Sequence, residues 1–197
     1  MIGQWDTDGY VVSEPIFSAA ECDELVRLSS EQAHSEPRNL LAYGWCRSVA
    51  ERLATSAPGT ILIPADAEPV QCTYFEKSHR RNWLVTLHQD LSIPVAERVA
   101  SEALSVWSVK AGVLYAQPPA SVLSQLVAVR LQLDAPARND GSLRVVRGTH
   151  VHGRLGDEDA FALRAEIGET TCVVQKGAAL FMRPLLLHAS SQETRSK

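Results

Sequence analysis

Residues 126–134 alternate without a break. Val127, Val129, Leu131 and Leu133 fall on one face of an extended strand, and Ala128, Arg130, Gln132 and Asp134 on the other. A strand of that pattern needs neighbours in a sheet and apolar cover on one side, which pulls the second half of the chain toward a sheet architecture. The first part has a different period. Ser18-Ala19-Ala20-Glu21 is a capping box that opens a helix carrying Leu25, Val26 and Leu28. Trp45, Val49 and Leu53 recur at four-residue spacing, which predicts a second helix over residues 41–55, ended by Pro58-Gly59. Gly9-Tyr10-Val11-Val12 reads as a short opening strand, and residues 31–38, with Pro37, as a loop.

Beyond about residue 60 short extended runs follow one another. Strands are expected at Ile61-Leu62-Ile63, Val70 to Phe75, Trp83 to Asp90, Leu143 to Val146, Thr171 to Val174 and Ala179 to Met182, with a last one carrying His188. Asp140-Gly141 and Lys176-Gly177 are turn signals. Residues 91–120 are expected to be a long irregular insert. Two helices followed by many short strands point to a mainly β fold with flanking helices, a double-sheet sandwich of the jelly-roll or cupin kind. A length of 197 residues fits one domain over 1–197, with a helical part over about 1–60 and a β core over about 61–197.

The net charge of -4 gives no electrostatic case for nucleic acid or an anionic membrane surface. No apolar run approaches the length of a membrane span. The amino terminus lacks the basic and apolar regions of a signal peptide. Cys22, Cys46, Cys72 and Cys172 are scattered, without a C-x-x-C pair, and are expected to be reduced thiols in a cytoplasmic protein. The oligomeric state is not written in the sequence.

The chemistry-bearing stretch is Trp83-Leu84-Val85-Thr86-Leu87-His88-Gln89-Asp90. On a strand, His88 and Asp90 leave on one face and Gln89 on the other. An imidazole and a carboxylate so placed are two thirds of the 2-His-1-carboxylate facial triad, which leaves positions open on Fe(II) for a cosubstrate and oxygen. Standing alone, such a pair is a solvated strand end more often than a metal site. The third ligand must be remote in sequence, and His188, after Leu185-Leu186-Leu187, is the candidate. The alternative for His188 is a core histidine with a satisfied ring.

Several stretches together resemble the phytanoyl-CoA dioxygenase family of non-haem iron, 2-oxoglutarate-dependent oxygenases. They are Asp8-Gly9-Tyr10-Val11-Val12, the His-Gln-Asp strand, Gln117-Pro118-Pro119, the run from Asp140 to His150, and Leu187-His188-Ala189-Ser190-Ser191. The resemblance implies a double-stranded β-helix in which His88, Asp90 and His188 bind Fe(II). It implies 2-oxoglutarate and O2 as cosubstrates and hydroxylation of an unactivated C–H bond in a small molecule. The presence of Asp90 argues against halogenation, because halogenating relatives lack that carboxylate.

The family places an arginine roughly nine to eleven residues after the distal histidine, paired bidentately with the far carboxylate of 2-oxoglutarate. Here Arg195 stands seven residues on, and the sequence stops at Lys197. The expectation is that the natural protein continues and supplies a closing strand; otherwise Arg195 anchors the cosubstrate. Gln71 either faces the cosubstrate from a strand beside the metal strand, as a similarly spaced glutamine does in ectoine hydroxylases, or lies on the surface. Ser190 shares a strand face with His188, so its hydroxyl either reaches the cosubstrate or is solvated at an edge. Arg130 is expected to line the substrate pocket. His150 is expected to be a structural, hydrogen-bonded residue at the site mouth, Trp83 and Trp107 to be core and lid packing, and Arg144 and Arg147 to be a solvated strand end. Two rival classes use the same residues: a Zn-dependent hydrolase or isomerase, and a non-catalytic cupin-like binding protein.

Overall fold

The computed structural model describes residues 1–32, 40–75, 85–135 and 142–190. The chain opens with helix α1 (Ile2–Asp8), not anticipated from sequence, and strand β1 (Tyr10–Val12). Helix α2 (Ala19–Gln32) begins at the expected capping box. The Ser18 amide donates to the Glu21 carboxylate at 2.8 Å and the Glu21 amide donates to Ser18 Oγ at 3.3 Å. A 3-10 turn (Leu40–Ala42) leads into α3 (Gly44–Thr55). Arg52 of α3 donates to Glu21 and to the Ile16 carbonyl, latching α3 onto the start of α2.

Two expected strands are absent here. Ile61-Leu62-Ile63 falls largely in a one-turn helix, α4 (Gly59–Leu62). There β-branched composition is overridden by packing: Leu62 and Ile63 turn into the cluster under α3, and a Cβ on Gly59 would stand 2.0 Å from the Leu53 carbonyl. Residues 70–75 form no helix or strand and join no sheet among the described residues. The Leu40 amide donates to the Cys72 carbonyl at 3.1 Å, and Val70 and Phe75 are exposed.

The β part comprises β2 (Val85–His88), β3 (Ile93–Pro94), β4 (Ser105–Lys110), β5 (Val113–Gln117), the short helix α5 (Ala120–Leu123), β6 (Ala128–Leu131) and β7 (Leu143–Val145). A 3-10 turn (Thr149–His152), α6 (Asp157–Ile167), β8 (Thr170–Thr171), β9 (Ala179–Met182) and β10 (His188–Ser190) complete it. The insert at 91–120 is therefore not irregular. It forms a three-stranded antiparallel sheet in the order β3-β5-β4. Its hairpin turns at Ala111-Gly112, both with positive φ, the geometry that suits the twist of a two-residue hairpin. The strand expected to run through Val174 pairs only at Thr170–Thr171.

Two further sheets face each other. One has the order β1-β9-β6, the other β2-β10-β7-β8, all antiparallel. Strand β9 shows how the layers are built, because it is buried throughout. Ala179 and Phe181 point outward into the cluster covered by the helices, with Phe17, Cys22, Leu25, Leu53, the β6 residues Val129 and Leu131, and Val127 and Leu133 on either side of β6. Leu180 and Met182 point inward and meet Tyr10, Val145, Cys172 and Leu186 between the sheets. On the far side of the second sheet, Val146 and Leu187 pack with Ala160, and Leu163 of α6 closes over them. Alternation in β6 thus reads correctly: its apolar face is the one under the helices.

Candidate metal centre

The site is assembled where β2 ends against β10. His88 and His188 are paired directly across these antiparallel strands. On its other side His188 pairs with Val145 and Ser190 with Leu143, both of the inter-sheet cluster, so His188 and Ser190 are directed into the interior. His188 is only 5% exposed and Ser190 is buried. Asp90 follows β2 by two residues, and its amide donates to the Pro184 carbonyl at 2.8 Å. Its side chain is 49% exposed, so the carboxylate sits at the open rim of the sandwich.

Both imidazoles are held in one tautomer. His88 Nδ1 lies 2.8 Å from the Thr86 carbonyl and His188 Nδ1 lies 2.9 Å from the Leu186 carbonyl. A carbonyl oxygen only accepts, so each Nδ1 carries the proton and each Nε2 presents a lone pair. Those two Nε2 atoms flank the carboxylate, at 3.7 Å from Asp90 Oδ1 and 3.8 Å from Asp90 Oδ2. These separations are too long for hydrogen bonds and leave a gap between donors instead. One ligand atom from each residue lies within 4.8 Å of the other two. The rings stand 4.1 Å apart, tilted by 53°. Burial pushes the His188 imidazole below its usual pKa; the Asp90 charge pulls it back up, and His88 lowers it further. The neutral imidazole is the form that binds metal. The donor set is that of a facial triad, and the residues fit a divalent ion.

The other sequence-derived candidates spread out. Arg130 sits on the inward face of β6, registered against Leu180, and is exposed, with its guanidinium 3.5 Å from Gln132 Oε1. Gln71 has lost the strand expected to carry it; it is half-buried and donates to Thr73 Oγ1 at 2.9 Å. Arg195, Trp83 and the Asp140-Gly141 turn lie outside the described residues. Arg144 is half-buried rather than free in solvent: it lies 3.4 Å from Glu169, which also pairs with Arg164. Trp107 is half-buried beneath the Arg98 guanidinium. His150 is not among the converging ligand candidates. It lines an open cavity of about 400 Å³ with Asp6, Ser124, Arg183 and Leu185, and its buried Nδ1 makes no hydrogen bond among the described residues. Burial, then Arg183, lowers the pKa of its ring.

Sequence reasoning missed two residues. Thr149, wholly buried, donates to the Val146 carbonyl at 2.8 Å and accepts from the Leu187 amide at 2.9 Å, next to His188. Gln89 does point away from the triad face, but into the protein, where it is buried and hydrogen-bonded. Nothing local distinguishes either from a polar residue at a strand end.

The family model described as phytanoyl-CoA dioxygenase (PhyH) matches residues 5–197. The chain belongs to that family. Its members are iron- and 2-oxoglutarate-dependent oxygenases. No curated protein matches the chain in sequence. Among solved structures, it is similar to the non-haem α-ketoglutarate-dependent epimerase SnoN from nogalamycin biosynthesis, at 14% identity and a TM-score of 0.63, covering 99% of this chain and 74% of that one. HygX from Streptomyces hygroscopicus, with nickel and 2-oxoglutarate bound, matches at 20% identity and a TM-score of 0.60, over 100% and 80% of the two chains. AviO1 from Streptomyces viridochromogenes Tue57 matches at 18% identity and a TM-score of 0.62, over 100% and 88%. At such identities the likeness establishes the fold, the double-stranded β-helix of these phytanoyl-CoA dioxygenase-like proteins. No helix among the described residues is long and apolar enough to cross a membrane.

Proposed function

We propose that this chain, as one domain over residues 1–197, is an Fe(II)- and 2-oxoglutarate-dependent hydroxylase of a small molecule. His88 Nε2, His188 Nε2 and an Asp90 oxygen are the protein ligands. The observation that carries the reading is the pair of fixed tautomers: each Nδ1 is engaged by a backbone carbonyl, and both Nε2 lone pairs face one carboxylate. Bound iron, with 2-oxoglutarate and O2, supplies oxidation of an unactivated C–H bond, with succinate and CO2 as coproducts.

The chain's own residues orient and desolvate. Burial of His188 keeps it neutral and fixes its ring from below. Asp90, at the rim, contributes negative charge where solvent and reactants enter. Ser190 is proposed to meet the cosubstrate, because it shares the inward face of β10 with His188. Arg195 is proposed to pair with the far carboxylate of 2-oxoglutarate, with Gln71 as a further candidate contact. Arg130, on the inward face of β6, is proposed to meet an anionic or strongly polar group of the substrate. A small-molecule substrate suits neighbours of this fold: HygX has been solved with hygromycin B, and SnoN with nogalamycin RO.

The test is turnover after anaerobic loading with Fe(II), followed by 2-oxoglutarate, ¹⁸O2 and a library of small molecules. Succinate formation with one ¹⁸O atom in a product is the expected result. Succinate with product that lacks the label would exclude hydroxylation, and hydrolysis with Zn(II) alone would point to the rival metal chemistry.

A further inference from the structure

Gln89 stands between two of the triad residues and faces away from them. It is 9% exposed, an unusual place for a glutamine, and its amide is almost fully used. Its Nε2 donates to the Leu185 carbonyl at 2.6 Å and to the Gly153 carbonyl at 2.8 Å. Its Oε1 accepts from the Leu155 amide at 2.9 Å. Three separate segments therefore meet on one side chain: the end of β2, the turn that leads to His188, and the stretch before α6. The next residue repeats the connection through the backbone, since the Asp90 amide donates to the Pro184 carbonyl at 2.8 Å. Consecutive residues of the His-Gln-Asp stretch thus grip consecutive carbonyls, Leu185 and Pro184, just ahead of His188.

We infer that Gln89 is a positioning residue: it sets the spacing between the His88–Asp90 pair and His188. The inference rests on the metal-centre reading above. The β2–β10 pairing alone is a weak guide to that spacing, because its register shifts between His188 and Ser190. The geometry also explains the residue type. Leucine fills a similar volume but leaves two carbonyls and one amide without partners. Glutamate keeps the acceptor for Leu155 but turns a charged oxygen toward the Leu185 and Gly153 carbonyls. Both changes leave every triad atom in the chain. Gln89→Leu is uncharged, so its effect on the metal passes through position. The added charge of Gln89→Glu would by itself strengthen cation binding, so a loss of affinity there is also positional.

The test compares wild type, Gln89→Leu and Gln89→Glu with Leu163→Ala, a control that thins the small cluster on which Leu155 also packs while removing none of the Gln89 hydrogen bonds. Two quantities are measured on the full chain: Co(II) affinity by calorimetry, and residue-resolved amide hydrogen exchange without metal. Both Gln89 variants are expected to weaken Co(II) by about 10- to 100-fold, the usual effect of losing a partner behind the ligands. Both are also expected to speed exchange at Asp90 about tenfold or more, and Gln89→Leu, which removes the acceptor of the Leu155 amide, at Leu155 as well, with Leu180 and Met182 unchanged. Leu163→Ala is expected to leave both unchanged. Co(II) affinity equal to wild type in either Gln89 variant, or equally weakened by Leu163→Ala, overturns the inference. Should wild type itself bind no Co(II), the metal reading fails, and the exchange data alone judge the tie: unchanged rates at Asp90 and Leu155 overturn it, accelerated rates support it. If Gln89→Leu does not fold, Gln89→Glu carries the comparison.

Discussion

His188 is the residue on which the site turns, and its role was only half written in the local sequence. The stretch Leu185-Leu186-Leu187-His188 reads as core, and core it is: Leu186 faces the inter-sheet cluster and Leu187 the opposite one. Only the pairing of β10 with β2 turns the ring onto Asp90. The His88–Asp90 half was legible because it needs only the two-residue period of a strand. Thr149 was not, because its partners lie at Val146 and Leu187, and one of them is remote in sequence. Thr149→Val keeps the shape and strands a buried carbonyl and amide. It is expected to cost about 1–3 kcal/mol of stability, read from the midpoint of urea unfolding. Arg130 carries a different expectation. With a substrate in hand, Arg130→Ala should raise the substrate KM while succinate formation without substrate stays at the wild-type level. An unchanged KM would remove Arg130 from the pocket.

At the scale of elements, what could be read depended on where each element finds its cover. The α2 start was legible from Ser18 and Glu21 alone, since a capping box is local. Helix α6 was not, although Asp157, Glu158 and Asp159 mark its first turn and Gly168 follows its end. Only Ala160 is buried on it, so it shows little apolar periodicity. The β4–β5 hairpin was hidden by its turn, where Ala111 takes a positive φ that favours glycine or asparagine. The α2 cap also predicts a pH dependence. The Arg52 guanidinium, then the Ser18 amide and hydroxyl, hold the Glu21 carboxyl down to about 2, against an ordinary value of 4.5. A lowered folded value means the contribution is complete above about pH 4.5 and is lost as pH falls toward 2. Wild type is therefore expected to be more stable than Glu21→Gln at neutral pH, with the difference closing over that window in acid unfolding curves. The Lys176-Gly177 turn gives a sharper test. Gly177 has φ 84°, and a Cβ there would stand 1.9 Å from the Phe17 carbonyl, which belongs to the segment entering α2. Gly177→Ala is expected to lower stability by about 2–4 kcal/mol, from backbone strain and overpacking together, seen as a fall in Tm.

At the scale of the whole molecule, among the described residues the layered order of helices, sheet, core, second sheet and α6 brings His88, Asp90 and His188 together at an open rim. Hydrophobic period marked one layer only: the alternation around β6 showed its apolar face, now seen under the helices, whereas β9, apolar and buried on both faces, carries no such period. It could not locate the third sheet, β3-β5-β4, whose strand β4 leaves Val106 and Val109 exposed and so lacks a buried stripe to recognise. The triad's convergence is a property of the assembled sandwich, and the most direct measurement is made on the assembled protein. Anaerobic Fe(II) is added to the full chain with and without 2-oxoglutarate, and the visible spectrum is recorded for wild type and for His188→Ala. Bidentate binding of a 2-oxo acid to Fe(II) at such a site gives a metal-to-ligand charge-transfer band. The account predicts that band in wild type, dependent on both iron and 2-oxoglutarate, and its loss in His188→Ala with the fold retained by circular dichroism. No band in folded wild type at saturating iron and 2-oxoglutarate, or the same band in His188→Ala, would contradict the assignment of His88, Asp90 and His188 as the metal centre.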